Sequence, residues 1–354
     1  MKTELFSLKE KYEQYKIDNP KSRIRNAAID LNVSEMQLLA CYIGEHVTRL
    51  NTNFKELLKD IHLLGQVMAL TRNEYAVHER KGVYDNVSFM KGGHNMGLAV
   101  NPDIDLRLFM NEWKYAFAVE MEVRGKTLYG FQFFNAYGEA VHKIYLTPNS
   151  VEEVYHKLVK QYTTENQEKG ETPSKEPKTI PTYAKDVEID KAAFEQEWID
   201  MKDTHHFFGM LRKYKLARTQ ALRLAPEGYA YQVDGEKAIV QLLEKAAEVE
   251  VPIMVFVRSA GCIQIHTGEI KKTLTMGTWF NIMDPLFNLH LDLSGVAETW
   301  VVNKNTTDGQ VTALEVFGKD GQQIVQFFGK RKPGTPELEE WRSLVAALDI
   351  FKIN

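Results

Sequence analysis

The feature that most constrains this chain of 354 residues is that it reads twice. A duplicated fold keeps its turn glycines and core aromatics in register after its surface has diverged, so spacing is the test. Arg72 and Gly82 are ten residues apart in RNEYAVHERKG, and so are Arg258 and Gly268 in RSAGCIQIHTG. Both segments read as strands ending in a glycine turn. DLRLFMNEWKYAFAV aligns with NLHLDLSGVAETWVV, and FQFFNAYGEAVHKIY with LEVFGKDGQQIVQFF, without a gap. Arg107 to Phe134 and His290 to Phe317 are both 27 residues, and Arg107 to Gly138 and His290 to Gly321 are both 31. In each copy a glycine sits between two alternating aromatic-rich runs, a hairpin signal that is stronger at Asp320-Gly321. The helical parts correspond as well, Leu31 to Leu39 with Tyr214 to Leu222. Each half is thus expected to be a helical segment followed by an antiparallel meander, which gives the α+β class.

Between the halves, residues 164–186 (TENQEKGETPSKEPKTIPTYAKD) lose apolar periodicity and carry three prolines, the pattern of an exposed linker. The expected organisation is a first repeat at 1–163, the linker at 164–186 and a second repeat at 187–354. A composition 44% hydrophobic and 26% charged supplies a core for each half without staples. Cys41 and Cys262 lie far apart with no ligand spacing, which argues against a disulfide framework or a zinc site and for a reducing, cytoplasmic setting. The charged N-terminus MKTELFSLKEKYEQYK has no apolar signal region, and no run of about 18 apolar residues suggests membrane insertion. A net charge of −4 encodes no bulk attraction to nucleic acid.

Several segments can carry function. RNAAIDLNVSEMQLLA has the turn pattern of a helix-turn-helix, with Ser34 as N-cap of its second helix. A DNA-binding regulator is therefore one alternative, and a haem-free interaction scaffold another. The would-be recognition helix begins with a carboxylate and offers no Arg or Lys to a groove, so a packed helical pair is the expected reading and a nucleic-acid partner is not. In DTHHFFGML, Asp203 is expected to N-cap the next helix and to place His205 and His206 in its first turn beside Phe207, Phe208, Met210 and Leu211. Adjacent helix positions point about 100° apart, so only one of the two histidines can be the main ligand of a flat apolar group such as haem. Arg218 and Lys304 either hold a carboxylate or solvate a surface. Alternation in Leu106-Arg107-Leu108-Phe109 turns Arg107 away from the hydrophobic face. His78, next to Glu79, is either a secondary ligand or structural. Dinucleotide, Walker, nucleophile-elbow and HExxH motifs are absent.

LTRNEYAVHE, NPDIDLRLFMNEWKYAF, the Trp198 helix running into DTHHFF, AYQVD, GCIQIHTG, NLHL, AETW and the final FFGKR with Trp341 resemble the bacterial hemin-degrading factors, or cytoplasmic haem chaperones, of the HemS and ChuS type. The resemblance covers essentially the whole chain. It implies a haem cleft between the halves, with His205 as axial iron ligand and Arg107 reaching the opposite haem face, usually through water. It also implies Arg218 and Lys304 at the propionates, and Gln326 and Arg331 near the C-terminus as pocket residues. Phe328 stands where the family usually has a pocket tyrosine, so a phenolic hydrogen bond is missing there. The implied role is to receive imported haem, traffic it and assist its degradation to release iron, a haem-oxygenase-like activity. A haem importer and a downstream haem oxygenase are the implied partners.

Overall fold

Apolar side chains at helical spacing decide which faces the helices bury. In Gly235–Glu248 the buried set is Ala238, Ile239, Leu242, Leu243 and Ala246, one stripe along the helix, and in Glu152–Tyr162 it is Tyr155, Leu158 and Tyr162. The computed structural model describes residues 2–90, 95–123, 125–179, 181–332 and 334–349. It falls into two units. One comprises Met1–Arg72, Glu79–Pro177 and Ser259–Gln264, the other Asn73–His78, Lys178–Arg258 and Ile265–Asn354.

The first unit opens with helices α1 (Lys2–Asp18), α2 (Ile24–Asp30) and α3 (Glu35–Ala40), strand β1 (Val47–Leu50) and helix α4 (Phe54–Asp60). Strands β2 (Gly65–Arg72) and β3 (Ala76–Val83) follow, then the small sheet β4 (Val87–Phe89), β5 (Met96–Val100) and β6 (Asp105–Phe109). The meander β7 (Tyr115–Val123), β8 (Lys126–Phe134) and β9 (Ala140–Ser150) leads into α5 (Glu152–Tyr162). Strands run in the order β1-β7-β8-β9-β2. One face, with Ala116, Phe131, Phe133 and Ile144, packs on Leu57, Leu58, Tyr155 and Leu158 of α4 and α5. The other, with Phe117, Val119, Phe134 and Tyr145, packs on Ala27, Met36 and Leu39 of α2 and α3.

The second unit repeats this with α6 (Lys191–Ile199), α7 (His206–Tyr214), α8 (Arg218–Arg223), β10 (Ala230–Gln232), α9 (Gly235–Glu248), β11 (Ile253–Arg258) and β12 (Cys262–Gly268). Its small sheet is β13 (Thr273–Met276), β14 (Trp279–Met283) and β15 (Phe287–Asp292). The meander β16 (Glu298–Thr306), β17 (Gly309–Phe317) and β18 (Gln323–Gly329) precedes α10 (Glu339–Ala346). Strand order is β10-β16-β17-β18-β11, with Val301, Leu314, Val316, Val325 and Phe327 toward α9 and α10 and Trp300, Val302 and Phe317 toward α6 and α7.

Register carries the duplication residue by residue. Gly130 pairs with Tyr145 and Ala313 with Phe328, each member 183 positions further on, and the pairing shifts between Phe133 and Phe134 in one half and Val316 and Phe317 in the other. Left-handed backbone recurs at the same offset, in Asn32 and Lys215 after α2 and α7 and in Gly138 and Gly321 between the last two strands. The α+β class and the antiparallel meanders therefore stand as expected.

Two local expectations change and a third stands. Gly82 lies inside β3 and makes no turn; a Cβ there would come within 2.4 Å of Asp103 Cβ, so its missing side chain admits a neighbour. The turn falls earlier, where the Asn73 side chain accepts from the amides of Tyr75 (3.1 Å) and Ala76 (3.0 Å). The first part of the linker is a bound strap: Arg49 donates to the carbonyls of Asn166 (2.9 Å) and Gly170 (2.6 Å), and Ser174 N donates to Ala136 O (2.7 Å). Lastly, Ser34 does cap α3, in a reciprocal box with Gln37, but Glu35, Met36, Leu38, Leu39 and Ala40 are all buried. With its side chains in the core, α3 has no face to place in a DNA groove, and the DNA-binding alternative finds no support.

Candidate functional site

In the second unit, chemistry gathers where α7 and α8 cover the sheet. Asp203 opens the turn that leads into α7, accepting with Oδ1 from the His205 amide (2.8 Å) and from His205 Nδ1 (2.7 Å). Those donors hold its carboxyl below the usual aspartate range. Asp203 thus caps the turn before the helix, and α7 itself begins at His206, with His205 just outside it. With Nδ1 committed to a carboxylate, Nε2 is the nitrogen left for a ligand, on a side chain 92% exposed. A carboxylate on the far nitrogen fixes the ring's orientation and raises the basicity of the other, the arrangement found behind metal-ligating histidines. His206 is exposed as well, and Phe208 beside them presents 60% of its surface to solvent. Phe207 turns inward against Trp198.

Beneath Phe207 lies an ionic cluster. Arg218, the first residue of α8, donates from Nε and Nη2 to the two oxygens of Glu315, both at 2.6 Å, and Lys304 Nζ of β16 reaches Glu315 Oε1 at 2.8 Å. Gln323 Nε2 adds a contact at 3.3 Å. The Phe207 ring covers both cations, its centroid 4.6 Å from Lys304 Nζ and 5.0 Å from Arg218. Burial pushes the Lys304 amine down to about 8 against the pull of Glu315. Burial also opposes ionisation of Glu315, yet Arg218 and Lys304 hold its carboxyl at about 2.

Gln326 faces Glu315 across the β17–β18 pair and so shares its side of the sheet. Phe328, two residues on, lies on that side too and meets Phe256 edge to face at 5.1 Å. Arg331, just past β18, approaches Asp308 at 3.9 Å. Six of the seven positions that the resemblance implies for the pocket, His205, Arg218, Lys304, Gln326, Phe328 and Arg331, are therefore in the second unit. Arg107 belongs to the first. In β6 it shares a face with Asp105, whose carboxylate accepts from its Nη1, while Leu106 and Leu108 point into the core. His78 is fully buried, its ring 4.9 Å from Phe287.

Sequence reasoning missed Glu315 and Asp203's bond to the His205 ring. A signal for Glu315 existed: the alternation in Leu314-Glu315-Val316 sets one carboxylate on the opposite side of the strand from two core residues. The donor set suits haem. An outward imidazole nitrogen, an exposed aromatic next to it and a cationic cluster match an iron, an apolar macrocycle edge and carboxylates respectively.

Comparison with known proteins agrees with this chemistry. The family model for the haemin-degrading HemS.ChuX domain matches twice, over residues 32–162 and 215–348. The hemin transport protein HemS of Yersinia enterocolitica is 39% identical over 345 residues, 97% of either chain. Among solved structures, the haem-loaded form of PhuS, a heme-binding protein of Pseudomonas aeruginosa, matches with a TM-score of 0.94 at 43% identity, covering 98% of this chain and 99% of that one. ChuS of Escherichia coli O157:H7, described as a heme degrading enzyme, matches with a TM-score of 0.88 at 34% identity over 98% of this chain and 99% of its own.

Proposed function

The chain belongs to the haemin-degrading HemS.ChuX family, and from that premise we propose that it binds haem as its cargo, traffics it and supports its breakdown to release iron. The observation that carries the proposal is His205, whose ring is held through Nδ1 by Asp203 and presents Nε2 outward. In this reading His205 ligates the iron, Phe208 packs on the macrocycle, and Arg218 and Lys304 attract carboxylates, with Gln326, Phe328 and Arg331 at the same end. Arg107 is a further cation at the ligand. Bound haem supplies the redox chemistry of ring opening, given an electron donor that the chain does not itself encode in a dinucleotide motif. The chain's own residues orient the ligand, exclude water from its apolar edge and keep positive charge at its carboxylates. The two repeats, 1–163 and 187–354 with 164–186 joining them, act as one functional unit. A haem importer and a haem oxygenase are the partners this role calls for.

The deciding measurement is a haem titration followed by absorbance on the parent, His205→Ala and His206→Ala. A saturable Soret band that shifts and weakens chiefly in His205→Ala supports the assignment. A larger effect from His206→Ala moves the ligand by one residue. No saturation in the parent ends the proposal. With haem loaded and a clean reductant, Arg107→Ala is expected to slow ring opening more than it weakens binding.

A further inference from the structure

Glu315 has no part in the assignments above, yet it is the hub of the ionic cluster. It is fully buried in the middle of β17, and its side chain accepts from Arg218, Lys304 and Gln323. A carboxylate placed only to neutralise a buried charge needs one cation; here it has two, leaving the cluster with one positive charge in excess. The first repeat offers a control. Its positions equivalent to Arg218 and Gln326 are Glu35 and Lys143, a buried ion pair in which Arg72 and Arg25 also act on Glu35, and Gln132 stands where Glu315 does. A buried carboxylate at that strand position, bonded directly by two cations, is therefore particular to the second repeat, and it sits beneath Phe207, in the helix that begins just after His205.

We propose that Glu315 is a positioning residue for recognition of a ligand carboxylate: its two oxygens fix the Arg218 fork side-on and hold the Lys304 ammonium against Phe207, so that one net positive charge is set in place before a carboxylate arrives. This rests on the haem reading and deepens it, since haem carries two propionates. Arg218 Nη1 lies outside the Glu315 pair and has both of its N–H groups to offer a ligand oxygen. Without the carboxylate, Arg218 regains rotamer freedom and Lys304, 4% exposed in its side chain, loses the group that keeps it charged.

The test compares two ligands on the parent and Glu315→Gln: haem, and haem dimethyl ester, in which both propionates are blocked. The expected result is a loss of roughly tenfold in haem affinity, the order associated with a charge-assisted hydrogen bond, with ester affinity within about twofold of the parent and an unchanged Soret position. Equal weakening of both ligands would reduce Glu315 to a structural residue and overturn the proposal. Tighter haem binding would mean that Glu315 competes with the propionate, which overturns it too. Should the parent bind neither ligand, the haem reading itself fails and this inference falls with it. If Glu315→Gln does not fold, Glu315→Asp keeps the charge while shortening its reach, and the same selective loss for haem over its ester is expected in smaller measure.

Discussion

The two repeats solve the same packing problem with opposite chemistry. Where the second has exposed His205, the first has Ser22, whose hydroxyl lies 3.0 Å from that of Tyr15. Where the second sets Arg218 and Lys304 on Glu315, the first buries Glu35 against Lys143, with Met121 in place of Lys304. Where the second has Phe328, the first has Tyr145. The register of the meander strands and the bounds of α3 and α8 are shared, so that part of the backbone is inherited and the charge pattern on it is what diverged. One repeat closes its helix-to-sheet interface with a carboxylate on the helix and a lysine on the sheet, while the other sets the carboxylate on the sheet and bonds it to two cations. Binding can evolve on one copy while the other keeps the architecture.

The largest effect that could break this comparison is on the first repeat's pair. Lys143→Met removes the ion-pair partner of Glu35 and leaves that buried carboxylate to Arg72 and Arg25, a change that costs up to about 3–5 kcal/mol, the usual range for a broken buried pair. Trp113 is the one tryptophan of the first unit, so denaturant unfolding read on its fluorescence should show the loss. Haem affinity of the folded fraction should be unaltered. A drop in affinity as large as that of His205→Ala would give the Glu35–Lys143 pair a part in ligand binding and end the comparison. Glu35→Met with Lys143→Met should recover most of the stability, because two apolar groups leave no buried charge behind.

A second contrast lies at the paired turn glycines, both in left-handed backbone, with φ of 76° at Gly138 and 72° at Gly321. An alanine at either carries a conformational cost of about 1–2 kcal/mol. At Gly138 the added Cβ would also fall 2.4 Å from Ser34 Oγ, whereas at Gly321 the nearest atom, Thr219 Oγ1, is 3.6 Å away, an ordinary contact. Gly138→Ala should therefore destabilise more than Gly321→Ala in thermal melts. Equal losses would mean that the first turn yields as easily as the second.

How much of this was legible follows from the kind of signal each feature leaves. The duplication was readable because glycines such as Gly138 and Gly321 and alternating runs such as FQFF and LEVF hold fixed spacing. Spacing alone cannot tell a glycine that turns from one that admits a neighbour, which is why Gly82 was misplaced. The strap at 164–174 left no apolar pattern, since its anchors are backbone carbonyls donated to by Arg49. Arg218 and Lys304 stood out as cations, but whether they faced solvent or a carboxylate depended on Glu315, 97 and 11 residues away in sequence. That partnership is a product of folding and leaves no local trace.

The smallest contrast is at the caps of α3 and α8, and it can be written in both directions. Ser34 accepts from Gln37 N at 3.2 Å while the Gln37 side chain accepts from Ser34 N at 2.9 Å. At the equivalent place the second repeat keeps half of the box: Gln220 Oε1 accepts from Ala217 N at 3.2 Å, and alanine has no oxygen to return the bond. Ser34→Ala should then cost about 1 kcal/mol, the usual worth of an N-cap hydroxyl. The reverse change, Ala217→Ser, should return up to that amount to the second repeat, because Ala217 already has the extended backbone of a cap residue, at φ −65° and ψ 151°. Hydrogen exchange of the α8 amides resolves so small a gain better than a global melt, since it reads the helix itself. Slower exchange in Ala217→Ser with haem affinity unchanged would show that the capping geometry is common property of both repeats. Faster exchange would mean that Arg218, at the first position of that helix, is held where Glu315 puts it and at the expense of the cap.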